Sequence, residues 1–122
     1  MEKYIEVMKQ SLDLSGTILE GLQHIQKLLG EGKIDETMAL FEDVISAFAV
    51  VERSIEPVKE ELHDHELEDK VKSVKGALEH VVSAYEVKNH GKVQEVMQFT
   101  FVPQFKKLKD ELERAFRPYL IS

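Results

Sequence analysis

The stretch IDETMALFEDVISAFAVVERSIEPVKEEL, residues 34–62, sets Ile34, Phe41, Phe48, Ile55 and Leu62 seven apart, with Val44, Val51 and Val58 in the positions between. Apolar residues recurring every three or four positions share one face of an α-helix, and a repeat this regular is the seam of a helical bundle. Pro57 would ordinarily end such a helix. Val58 and Leu62 keep the phase beyond it, so the spacing predicts one long helix kinked at Pro57.

Upstream, a helix is expected from Glu2 to Leu29. Ile5, Met8, Leu12, Ser15, Leu19, Leu22 and Leu29 fill its seam, and Tyr4, Ile18 and Ile25 on one side and Val7, Leu14 and Leu28 on the other widen the apolar arc. A surface helix needs only one stripe. An arc of this width predicts contact with more than one neighbour. Downstream, Leu67, Val71, Val74, Leu78, Val81 and Tyr85 define a third helix from about Glu66 to Lys88. A fourth starts near Lys92 and is regular through Phe101, Phe105, Leu108, Leu112, Ala115 and Tyr119. Its phase is disturbed between Val96 and Pro103. The alternation Phe99, Thr100, Phe101, Val102 suits a strand, but a lone strand has no partner to pair with, so a distorted helix is expected around Pro103.

Three breaks separate these segments: Gly30-Glu31-Gly32-Lys33, His63-Asp64-His65-Glu66 and Asn89-His90-Gly91. A shift of 59 residues lays Leu19-Glu20 on Leu78-Glu79, Gly32-Lys33 on Gly91-Lys92 and Met38 on Met97, with six identities in the 22 positions from Thr17 to Met38. The expected architecture is therefore all-α: one domain, 1–122, an antiparallel four-helix up-and-down bundle of two related helical hairpins, 1–62 and 66–122.

Composition narrows the functional classes. With 43% hydrophobic and 32% charged residues, the 122-residue chain has the makings of one packed core. The absence of cysteine removes disulfides, thiolate zinc sites and cysteine nucleophiles, and fits a reducing cytoplasm. The N-terminus has no basic head followed by an apolar run, and no stretch of eighteen apolar residues follows, so neither export nor membrane insertion is expected. A net charge of −7 opposes nucleic-acid binding. The charge is unevenly spread: residues 1–69 carry 17 acids and 6 bases, and residues 70–122 carry 6 acids and 10 bases. Acidic and basic helices lying side by side would partly cancel.

No constellation of side chains signals catalysis. A carboxylate-bridged di-iron centre needs two Glu-x-x-His pairs, and only Glu60-Glu61-Leu62-His63 has that spacing. Glu60, His63 and His65 could contribute to a zinc, copper or nickel site, but a solvated turn is the better account of them, since charged groups in a turn need only water. Gly30-Glu31-Gly32-Lys33 lacks the spacing of a phosphate cradle. Lys106, Lys107, Lys109, Arg114 and Arg117 are interleaved with Asp110, Glu111 and Glu113, unlike the segregated basic face of a membrane-surface helix.

What remains is surplus apolar surface. Phe99, Phe101, Val102 and Phe105 offer more than one seam can absorb, and Val7 and Leu14 lie round the side of the first helix. These six are the expected partner-binding residues. The expected function is a non-enzymatic protein-interaction module without cofactor: an adaptor, a small chaperone or a regulatory subunit, or a homodimer through the first helix. A metal-binding bundle using the His63/His65 turn and a purely structural oligomer are the alternatives.

Overall fold

In the computed structural model, which describes residues 2–121, the chain forms four helical rods with no strand among those residues. Met1 and Ser122, the ends of the expected domain, lie outside them. After a short 3-10 turn, Glu2–Tyr4, come α1 (Ile5–Gly30), α2 (Ile34–Leu62) and α3 (His65–Glu86). The fourth rod is composite: α4 (His90–Val96), a π turn (Met97–Phe101) and α5 (Val102–Leu120).

The seam of α2 is buried as its spacing demands, through Ile34, Thr37, Phe41, Val44, Phe48, Val51, Ile55 and Val58. One helix passes through Pro57. Pro57 has no N–H to offer the carbonyl of Arg53, and both residues are exposed, so water can serve the orphaned carbonyl at little cost.

In α1 the buried line is Met8, Ser11, Ser15, Ile18, Leu22, Ile25 and Leu29. It is rotated from the expected seam, with Leu12 and Leu19 left at its margin. The cause is position: α1 packs against both α2 and α5, so the bisector of its wide arc points inward. Small Ser11 and Ser15 occupy the centre, and Ser15 donates its hydroxyl to the Ser11 carbonyl at 2.7 Å.

The other neighbours are α3 with α5 and α2 with α3. Along the α2–α3 seam, Glu52 meets Lys75 at 2.9 Å, and the Phe41 and Tyr85 rings lie 5.4 Å apart. Residue number thus rises along α2 as it falls along α3. Asp64 joins the two helices: its carboxylate accepts the Leu67 N–H at 3.0 Å, capping α3, and also takes Arg114 of α5 at 3.5 Å. Arg114 is further held by Glu111, which is only 7% exposed.

Both hairpins close with the same backbone device, but not at the expected offset. Gly32 and Lys88 take the left-handed conformation (φ +76° and +55°). The next amide in each case reaches back five residues, Lys33 N to Leu28 O at 2.9 Å and Asn89 N to Ala84 O at 3.2 Å. These two turns lie 56 positions apart, so the shift of 59 that pairs Gly32 with Gly91 misplaces the second turn by three residues. Three residues are nearly one helical turn, so an amphipathic pattern matches almost as well after the slip.

The fourth rod is indeed distorted. The Val102 N–H bonds to the Met97 carbonyl, a five-residue reach that widens the helix just ahead of Pro103. Proline lacks an N–H and its ring crowds the carbonyl four residues back, here that of Phe99, so the chain inserts one extra residue and resumes α geometry beyond it.

Candidate functional site

The expected partner-binding residues divide by environment. Phe101, Val102 and Phe105 are fully buried, Phe101 edge-on to Phe41 at 5.9 Å between ring centroids. They belong to the core and present no surface. The π turn makes this possible, because it brings Val96 and Met97, and then Phe101 and Val102, inward as adjacent pairs that a regular helix would splay. Val7 and Leu14 are half-buried and pack against the core from the flank of α1. Only Phe99 projects, at 69% exposure, beside His80, Lys92, Glu95, Val96 and Thr100.

The histidine-rich turn stays polar. His63 ends α2 in a left-handed conformation, and His65 opens α3 with its Nδ1 4.0 Å from Glu68. Glu60, His63 and His65 line a shallow pocket together with Glu56, Lys59, Asp64 and Glu68. No three histidine or carboxylate side chains gather within reach of one metal ion among the described residues.

An apolar concavity lies elsewhere, between α2 and α3, where the two helices pack less closely than α1 and α2 do. Met38, Phe41 and Ile45 supply one wall at helical spacing, and Val82 and Tyr85 the other. The hollow holds about 230 Å³. Met38 is 48% exposed at its lip, while Phe41 at its floor is held between Tyr85 and Phe101. The Tyr85 hydroxyl is hydrogen-bonded to Thr37 at 2.7 Å, and Thr37 donates to the Ile34 carbonyl at 2.6 Å, so the polar atoms beside the floor are already paired. Burial pushes the Tyr85 phenol above its ordinary pKa, against a smaller opposing effect of Thr37.

Glu42 and Glu86 stand on the two walls, and no basic residue lines the hollow. Further along the seam Lys75 bonds to Glu52, with Glu56 and Glu79 also close enough to favour its charged form, so its ammonium is held above the usual lysine value. The sequence pattern does not show this site because Met38 and Ile45 fall outside the α2 seam and Val82 outside the α3 seam, while Tyr85 counts toward the α3 seam alone. The polar groups at the hollow are the paired Tyr85 hydroxyl and the exposed carboxylates of Glu42 and Glu86. What it can do is hold apolar side chains under a negative rim.

A family model described as a domain of unknown function (DUF8042) matches residues 6–111. No curated protein and no solved structure matches the chain. The match spans most of the sequence, and the chain belongs to this family.

Proposed function

We propose that this DUF8042 member is a non-enzymatic protein-interaction module, acting as an adaptor, a small chaperone or a regulatory subunit. The observation that carries the reading is apolar surface left outside a filled core: the Met38–Tyr85 hollow and the projecting Phe99 ring. Scattered exposed apolar residues are ordinary, whereas a concave apolar patch with a polar rim is the usual form of a docking site. The up-down-up-down order of the rods is part of this proposal. It is supported by three-residue or shorter connections and by the opposed numbering of the Glu52–Lys75 and Phe41–Tyr85 contacts. A cytoplasmic setting is supported by the lack of cysteine. No described helix is long and apolar enough to cross a membrane.

The test is affinity purification from the native cell with the wild-type chain and with Met38→Glu and Phe99→Glu side by side. Both positions are exposed, so folding is expected to survive both changes. A protein recovered with the wild type and lost with either variant supports the module. Identical recoveries from all three would remove the basis for it, and a concentration-dependent doubling of mass in light scattering with no other protein bound would favour a homodimer.

A further inference from the structure

The hollow between α2 and α3 has a size, a shape and a charge, and together these describe an occupant. At about 230 Å³ it is smaller than the roughly 300–1,000 Å³ that encloses a whole small-molecule ligand. It suits a few anchoring side chains of a larger molecule. Both walls are α-helices whose backbone groups bond within the helix, so there is no open edge to which an extended peptide could add as a strand. Met38, Glu42 and Ile45 form one ridge and Val82 and Glu86 the other, at the three- and four-residue spacing that receives the ridges of another helix.

Charge settles which helix. Each wall carries an exposed carboxylate, Glu42 and Glu86, with no cation lining the hollow between them, and Lys75 further along the seam is shared by Glu52, Glu56 and Glu79. A neutral or acidic helix laid here would strip water from Glu42 and Glu86 without replacing it, whereas lysine or arginine flanks would complement them and speed encounter. A second copy of this chain would offer α5 with Lys106, Lys107 and Lys109, but its Phe105, Leu108 and Leu112 are taken up by the core.

Resting on the interaction-module reading, we propose that the α2–α3 hollow docks a cationic amphipathic helix of a partner protein. Its aliphatic side chains sit on Phe41, Ile45 and Val82, and its basic flanks lie over Glu42 and Glu86.

The test uses the full chain and two fluorescein-labelled synthetic helices with the same leucine spacing, one flanked by lysine and the other by glutamate. Fluorescence anisotropy is expected to show the lysine helix binding about tenfold or more tightly than the glutamate helix. Amide shifts in a nitrogen-15 correlation spectrum should centre on Met38, Ile45 and Val82. The double variant Glu42→Lys/Glu86→Lys, checked for helicity by circular dichroism, should reverse the preference. Equal binding of the two helices, no binding at millimolar peptide, shifts centred on Phe99, or an unreversed preference in the double variant would each overturn the proposal. If the lysine helix fails while a native partner is still lost on Phe99→Glu, the hollow is not the docking site and the module stands. If the purification also recovers nothing specific, both fall.

Discussion

Phe99 and Phe101 stand two positions apart, yet one ring lies in solvent and the other against Phe41 in the core. Two residues along a helix, in the α or the wider π form, turn the side chain through roughly half a circle, so such a pair cannot share one face. Grouping Phe99, Phe101, Val102 and Phe105 into one surplus patch overlooks this geometry. Substitution separates the roles. Phe101→Ala opens a buried void and is expected to cost about 3–5 kcal/mol, a large part of the roughly 5–15 kcal/mol that holds a domain folded. Phe99→Ala should shift stability by no more than about 0.5 kcal/mol. Urea unfolding followed by circular dichroism reads both, and equal midpoints for the two variants would contradict the placement.

Lys88 carries a lesson of the same kind. Glycine is the usual left-handed residue at a helix end, so the sequence directs attention to Gly91, but the second hairpin turns at Lys88 and leaves Gly91 inside α4. A side chain in that conformation is strained. Lys88→Gly is therefore expected to raise the melting temperature by a few degrees, and Gly32→Ala, with φ at +76°, to lower it. A fall on Lys88→Gly would show that the Lys88 side chain supplies more than its backbone strain removes.

At the scale of elements, the long periodic helices were the most legible. In α2 the residues spaced by seven are the buried ones, apart from the half-buried Leu62 at its last position, because a period sustained over many turns leaves little freedom of phase. The centre of α1 was less legible, since a wide arc fixes a sector and only the neighbours fix its bisector. The disturbed phase from Val96 to Pro103 was visible, but not its form, a π turn that absorbs one residue. An absorbed residue can be removed. Deleting Thr100 together with Pro103→Ala should give a plain α-helix with Leu108, Leu112 and Phe116 in unchanged register, and the protein should stay folded. Deleting Lys107 instead rotates every later side chain by about 100° out of the core and should unfold it. Comparable far-ultraviolet spectra and melting curves for the two deletions would refute the role given to the turn.

Over the whole molecule, the uneven charge noted in the sequence is partly cancelled between helices, by Lys75 with Glu52 and by Arg114 with Asp64 and Glu66. The cancellation is incomplete beside the α2–α3 hollow, where Glu42 and Glu86 flank apolar side chains without a cation between them. This site was not legible in the sequence. It arises from two helices that pack loosely, and looseness between elements leaves no mark on the periodicity of either. Of the apolar side chains the sequence offered as surplus, Phe99 projects, while Phe101, Val102 and Phe105 lie in the core.

Photo-crosslinking in the native cell tests directly whether that surface meets a partner. With a photoreactive residue at Met38, a discrete crosslinked protein is expected, and the same residue at Glu20, on the exposed face of α1, should give none. No adduct from position 38, or the same adducts from both positions, would contradict a docking role for the α2–α3 face.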